Sequence, residues 1–260
     1  MTEPTDALVI RAGALGDTIA AEPFVRALGQ QRGFGNIYVR ADSYAEVFWN
    51  HPVAKLGLPP GPCATFDLTG VYEKYIPQQI QMTDAYLHHF GLKAPAPEVL
   101  PRLYLLEAEK AYAQEVLGDG DWVVVDLGYP GGPLDRGFWA FDVWLPVLQA
   151  VKDMGFGIVA VGGRATCRLR PPVDIDLKRK TTLRQLFAVV NRCQYFLGMD
   201  SGPMHVAQAL GVQGVGVFNP RHPASCILSS GSSIVPIHMG CNEEFRPDDL
   251  IRTFRAMVAR

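Results

Sequence analysis

Twice along its length the chain alternates short apolar runs with helix-like stretches, the pattern of parallel sheets covered by helices. In the first series, Ala7-Leu8-Val9-Ile10 is a strand. Thr18 to Gly29 reads as a helix with Ile19, Phe24, Val25 and Leu28 on its inner side, and Asn36 to Arg40 is the next strand. Such a βαβ unit is parallel and right-handed. Prolines and glycines then rise between Asn50 and Asp67, leaving loop and one short strand at Ala64 to Leu68. Tyr72 to Phe90 reads as helical with a break near Pro77. Ala94-Pro95-Ala96-Pro97 and Pro101 mark extended, linker-like chain, and Glu107 to Leu117 is a helix closed by Gly118-Asp119-Gly120.

The second series runs from a strand at Trp122 to Leu127 through the loop Gly128 to Arg136 to a helix at Phe141 to Met154 and a strand at Gly157 to Val161. Thr182 then caps a helix at Leu183 to Arg192, followed by a strand at Tyr195 to Leu197, a helix at His205 to Leu210 and a strand at Gly214 to Phe218. A last helix, Pro247 to Ala259, opens on Asp248 and Asp249, acids that suit a helix N-terminus. Two α/β halves in succession predict an N-terminal domain over residues 1–117 and a second over 118–245, with a cleft between them.

Composition narrows the class. In 260 residues, 48% hydrophobic and 19% charged are ordinary for a globular protein, and the formal net charge of −2 provides no global basic field for nucleic acid. The 5 cysteines are scattered with no C-x-x-C pair, which fits a reducing compartment better than a disulfide framework or a zinc knuckle. Met1 to Asp6 is polar and acidic, unlike a secretory signal, and no run approaches the roughly 18 apolar residues of a membrane helix. The expectation is a soluble cytoplasmic protein, with a peripheral place at the inner membrane surface left open.

Chemistry concentrates at two strand-to-helix turns. Asp200-Ser201-Gly202-Pro203-Met204-His205 follows an apolar strand and enters a helix, so backbone N–H groups are presented at its tip and suit an anion. Pro203 fits a first helical turn, and Gly202 admits a ligand close to the backbone. An acid would repel a phosphate, so Asp200 makes more sense holding hydroxyls beside it; phosphate with hydroxyls reads as a nucleotide sugar. The competing reading makes Asp200 or Ser201 a helix cap and His205 a buried, hydrogen-bonded histidine. Arg11-Ala12-Gly13-Ala14-Leu15-Gly16-Asp17 occupies the same place in the first half, with Gly13 and Gly16 for a tight turn and Asp17 at its mouth. Its competing reading is a capped helix. The spacing is G-x-x-G rather than the dinucleotide fingerprint G-x-G-x-x-G. After the loop beginning at Gly128, Arg136 is either a phosphate-facing guanidinium or a solvated surface arginine. Gly162-Gly163-Arg164 ends a strand near the same crevice. His88-His89 has no acidic partner at metal-ligand spacing, and no P-loop, G-x-S-x-G or H-E-x-x-H is present.

Together, Arg11, Leu15, Gly16 and Asp17 (R-x-x-x-L-G-D, with Pro23 and Leu28 following) and Asp200 to His205 with Ala207-Gln208-Ala209-Leu210-Gly211 and Phe218-Asn219-Pro220 resemble glycosyltransferase family 9, the heptosyltransferases of lipopolysaccharide assembly. The Thr181-Thr182-Leu183 helix start is similar to the family's as well. Departures are Arg136, three residues before Trp139 with no proline following, where the family has a lysine two before Trp-Pro, and Asn219 in place of glycine. The chain is also shorter than a typical member.

The resemblance implies a GT-B architecture, with two Rossmann-like domains facing a cleft and the last helix, 246–260, packing back toward the first. It implies an inverting, metal-independent glycosyltransferase moving heptose or a related sugar from a nucleotide-diphosphate donor, commonly ADP-heptose. No cofactor enters beyond that co-substrate. Asp17 would be the general base, and Gly13, Gly16, Gly128, Arg136, Thr182, Asp200, Ser201, Gly202, Pro203, Met204 and His205 the donor-binding set. The acceptor would be a glycan, a lipid-linked sugar or another hydroxyl. A non-catalytic nucleotide-sugar binding module and a GT-B-like sugar-nucleotide epimerase are the alternatives.

Overall fold

In a computed structural model the described residues are 5–128, 141–162, 172–218, 223–238 and 246–260, of which 141–143 are described by backbone alone. The chain divides into two compact units, Met1–Tyr104 with Ser225–Ser232, and Leu105–Ala224 with Ser233–Arg260.

The first unit is built on a four-stranded parallel sheet, β1 (Asp6–Arg11), β2 (Asn36–Ala41), β3 (Ala54–Leu56) and β4 (Cys63–Asp67), in the order β3-β2-β1-β4. Its helices are α1 (Leu15–Ala20), α2 (Glu22–Gln31) and α3 (Met82–His89). The sequence reads α1 and α2 as one helix. They are separate because Pro23, at the start of α2, has no N–H to continue the ladder. Fully buried Ile19, Phe24, Val25 and Leu28 nevertheless form the predicted inner face. Phe24, Phe66 and Phe90 make an aromatic cluster with centroids 5.4 to 5.9 Å apart. The helix expected over Tyr72 to Phe90 is two single 3₁₀ turns followed by α3, with Gln81 capping α3 through a bond from the Asp84 N–H.

β3 has no alternation to reveal it. Its start is set by His51, whose Nδ1 accepts from the Val53 and Ala54 N–H groups at 3.2 and 3.0 Å while Nε2 lies 3.2 Å from Glu22. The proline-rich stretch after Gly91 is equally well fixed. Gln30 pairs with both backbone groups of Ala96, and Arg26 donates to the carbonyls of Glu98 and Leu100, so this segment is stitched along α2 rather than hanging free.

The second unit contains α4 (Glu107–Leu117), β5 (Trp122–Asp126), α5 (Phe141–Asp153), β6 (Gly157–Ala160), β7 (Ile175–Asp176), α6 (Leu183–Arg192), β8 (Tyr195–Met199), α7 (Gly202–Ala209), β9 (Gln213–Phe218), β10 (Ile234–His238) and α9 (Pro247–Val258), while the short α8 (Ala224–Ile227) falls almost wholly in the first. Six strands pair in parallel in the order β10-β9-β8-β5-β6-β7. Val123, Val124, Val125, Ile158, Val159 and Ala160 are fully buried, as strands covered on both faces require. Thr182 caps α6 as expected: its hydroxyl accepts from the Gln185 N–H at 3.2 Å, and the Gln185 side chain accepts from the Thr182 N–H at 2.9 Å.

One element groups differently from the sequence expectation. Helix α4 falls in the second unit, moving the division from Leu117 back to Tyr104. Only Ala113 and Leu117 of α4 are buried, so its apolar pattern is weak, and a fork between Arg184 and Glu109, with contacts of 2.7 and 2.6 Å, ties it to α6. The same arginine holds the Glu109 carboxyl below the usual carboxylate range, against some burial. Within the second unit, helix α9 packs on α5 and β9. Leu250, Phe254 and Met257 bury one stripe in the second unit's core, each contributing about 1.5–3 kcal/mol, enough to decide where the helix lies.

Candidate active site

In open parallel sheets, ligands collect beyond the carboxyl ends of the strands where the strand order reverses. Each sheet here has one such point. In the first unit it lies between β1 and β4, and in the second between β5 and β8.

At the first, β1 ends in Arg11 and the chain turns into α1 through Gly13. A Cβ on Gly13, whose φ is +154°, would stand 2.6 Å from Asp17 Oδ2. The Asp17 carboxylate is held at both oxygens: Oδ2 accepts from the Ala14 N–H at 2.8 Å, and Oδ1 lies 3.2 Å from Arg11 Nη2. Arg11 is 3% exposed, whereas the Asp17 side chain keeps 26% of its surface open. Gly16, in α1, is buried beside it. Asp17 thus caps α1 through the Ala14 N–H and keeps an open carboxylate edge. The β4 side contributes Thr69, whose hydroxyl accepts from the Ala12 N–H at 3.3 Å, and Asp67, which accepts from the Thr69 N–H at 2.9 Å. Behind Arg11 lies the ring of Tyr86, with the guanidinium carbon 5.7 Å from its centroid. No sequence signal singles out Thr69 or Tyr86, since both reach the turn from distant segments.

At the second point, Gly128 adopts φ +72°, and a Cβ there would collide with the Met199 sulfur. Ser201 is the N-cap of α7 but makes no side-chain cap bond. Pro203 has no N–H, and the Met204 and His205 N–H groups turn back to the Ser201 carbonyl at 3.1 and 3.3 Å. That leaves Gly202 as the first-turn N–H outside the helix ladder. The Met204 side chain is wholly buried beneath the turn, against β9 at Gly216, so only its backbone can take part in binding. Asp200 keeps 17% of its side chain open, and buried His205 approaches it with Nε2 3.7 Å from Oδ1. The Thr182 hydroxyl accepts from the Gln185 N–H in capping α6 and keeps its own proton to donate. Arg136, Gly163, Arg164 and Asn219 lie outside the described residues.

One residue of this site escapes the sequence reading. Asp126 ends β5 at the switch point, 6% exposed, and accepts from the Gly128 N–H at 3.2 Å. Burial pushes its carboxyl up from the usual range, against the neighbouring Ser201 hydroxyl, the Gly128 N–H and the charge of Lys178. The only hint in the sequence is a single acid closing the run Val123-Val124-Val125. A carboxyl raised in the folded state favours folding most when it is protonated, and that advantage is lost as pH rises through the folded value. Asp126→Asn is accordingly expected to raise the urea midpoint at pH 7.5 and to leave it unchanged below about pH 3, where wild type is protonated whether folded or unfolded. A lower midpoint for the variant at pH 7.5 would show instead that the charge is well paired.

A family model described as Glycosyltransferase family 9 (heptosyltransferase) matches residues 66–250. The chain belongs to glycosyltransferase family 9. It is a glycosyltransferase, and the matched span includes the whole Asp200–His205 turn; the Arg11–Asp17 turn precedes it. No curated protein sequence matches the chain. Among solved structures, a glycosyl transferase family 9 protein from Veillonella parvula superposes with a TM-score of 0.77 at 16% identity, covering 100% of this chain and 99% of its own. The ADP-heptose lps heptosyltransferase II of E. coli gives 0.72 at 16% identity over 98% of each chain. The E. coli heptosyltransferase WaaC with ADP gives 0.65 at 14% identity, again over 98% of each. The family 9 chain thus has the GT-B fold of these transferases, an α/β architecture of two Rossmann-like units. Among its described residues no helix is long and apolar enough to cross a membrane.

Proposed function

We propose that this family 9 member transfers heptose or a related sugar from a nucleoside diphosphate to an acceptor hydroxyl, with inversion and without a metal. The observation that carries the reading is a division of chemistry: one sheet's switch point offers a fixed, partly open carboxylate, and the other's offers a helix N-terminus beside a second acid. One solved relative is an ADP-heptose transferase and another was crystallised with ADP, which favours an ADP-linked donor. The acceptor oxygen attacks C1 of the sugar as its proton passes to Asp17; the bond from C1 to the phosphate oxygen breaks, and the diphosphate leaves with the electron pair. A single displacement inverts C1. The positive end of α7 and the Gly202 N–H stabilise the departing diphosphate, with Arg136 adding a guanidinium, so the protein supplies charge that a cation would otherwise bring. Asp200 holds sugar hydroxyls. The acceptor is a glycan, a lipid-linked sugar or another hydroxyl compound, and a cytoplasmic site of action suits a nucleotide-sugar donor.

The test is calorimetric binding of ADP and ADP-heptose, with ADP release measured over an acceptor panel. Binding of ADP-heptose together with acceptor-dependent ADP release supports the reading; absence of both overturns it. Asp200→Ala is expected to weaken ADP-heptose binding by about tenfold or more, the value of one or two charge-assisted hydrogen bonds, while ADP binding changes little. Equal losses for the two ligands would remove the hydroxyl-holding role.

A further inference from the structure

A buried guanidinium costs several kcal/mol of desolvation unless its partners repay it. Arg11 is such a group, 3% exposed at the end of β1. Its described contacts are few: Nη1 donates to the carbonyl of Ala12, Nη2 lies 3.2 Å from Asp17 Oδ1, and the guanidinium carbon lies over the Tyr86 ring, 5.7 Å from its centroid. Tyr86 is itself fully buried on α3, a separate element from the turn it supports. Capping alone does not require this arrangement, because the Ala14 N–H already engages Asp17 Oδ2.

We infer that Arg11 and Tyr86 are positioning residues that fix the Asp17 carboxylate for proton transfer, the aromatic ring setting the plane of the guanidinium and the guanidinium setting the carboxylate. This rests on the reading of Asp17 as the base. The physical logic is geometric. Asp17 has two rotatable side-chain bonds; the Ala14 N–H restrains one oxygen, and the second contact, from Arg11, is needed to fix the plane of the carboxylate. A base must meet the acceptor hydroxyl within hydrogen-bond reach, and misplacement by about 1 Å costs as much as 10²-fold in rate. The pair also constrains the turn: a Cβ on Gly13 would stand 3.1 Å from Arg11 Nη2 as well as against Asp17, so the glycine makes room for the pair as a whole.

The experiment compares wild type with Tyr86→Phe, Tyr86→Leu, Arg11→Lys, Arg11→Ala and Asp17→Ala in two readouts. The first is the amide proton resonance of Ala14, with Asp17→Ala marking its position when the carboxylate is gone. Tyr86→Phe, which keeps the ring, should leave the resonance in place. Tyr86→Leu and Arg11→Ala should move it toward the Asp17→Ala position, with Arg11→Lys between, because lysine keeps the charge but not the fork. Tyr86→Leu removes no charge, so a shift there reports geometry. The second readout is ADP release from ADP-heptose over the acceptor panel. Tyr86→Leu and Arg11→Ala should lower kcat by about tenfold or more with the donor KM unchanged, the signature of a group acting on the transition state and not on donor binding. An Ala14 resonance that stays put in both variants overturns the inference, as does an unchanged or raised kcat. If the resonance moves and wild type releases no ADP, positioning stands and the reading of Asp17 as a base falls. Should Arg11→Ala fail to fold, Tyr86→Leu and Arg11→Lys decide.

Discussion

Asp17→Asn is expected to lower kcat for sugar transfer by about 10²–10⁴-fold, the usual contribution of a positioned general base, with the Kd for ADP little changed. Asparagine is the informative substitution because Asp17 does two things in the structure. Its Oδ2 accepts from the Ala14 N–H at 2.8 Å, a capping bond that an amide oxygen can also make. Its capacity to take a proton is lost on conversion to the amide. A variant that stays folded and turns over at the wild-type rate would reduce Asp17 to a helix cap. One that binds ADP yet releases none from the donor would separate the two roles. Melting measured alongside identifies the part of any loss that comes from leaving buried Arg11 without its partner, since Arg11 Nη2 lies 3.2 Å from the carboxylate it would lose.

The largest effect on stability is expected at Glu22, which is remote from the proposed chemistry. Its side chain is wholly buried and accepts from Arg26 Nε at 2.7 Å and from the Arg102 N–H at 3.0 Å, with His51 Nε2 at 3.2 Å. Arg26 goes on to the carbonyls of Glu98 and Leu100, so one carboxylate joins α2, the start of β3 and the chain leading to Tyr104. Glu22→Ala should cost about 3–5 kcal/mol, the penalty for removing one partner of a buried ion pair, against a typical total of about 5–15 kcal/mol. The loss should be concentrated in the first unit. Hydrogen exchange is the appropriate measurement, because two units need not melt together. Amides of β1, β2 and β3 should lose protection while those of β5, β6 and β8 retain it. A loss below about 1 kcal/mol would mean that the network is dispensable, as some buried ion pairs are.

Much of the fold was legible because local signals agreed with the tertiary result. The apolar runs expected as strands at Ala7–Ile10 and Trp122–Leu127 lie in strands Asp6–Arg11 and Trp122–Asp126, Thr182 caps a helix as expected, and α6 begins at Leu183. Failures follow where local signals were weak or the deciding partner was far away. The break between α1 and α2 had a visible cause in Pro23, but an otherwise continuous apolar face concealed it. Strand β3 has only three residues and depends on His51 and on pairing with β2. Helix α4 carries too little apolar surface to announce its partner, and the Arg184–Glu109 fork decides it across 75 residues of sequence. For α9 the helix and the acids of its first turn were readable, but not the stripe Leu250, Phe254 and Met257 that it buries.

The amino-acid order was enough to specify the two strand-to-helix turns, their glycines and their acids, because backbone geometry at such turns is a local matter of φ, missing N–H groups and a few atoms of reach. The surroundings of each acid came from the folded arrangement alone. It placed Arg11 and Tyr86 behind Asp17, set His205 against Asp200, buried the Met204 side chain and brought Asp126 to the second switch point. The electrostatics of a carboxylate depend on its depth and on groups within a few ångströms, and those groups come from strands and helices that the chain order keeps far apart.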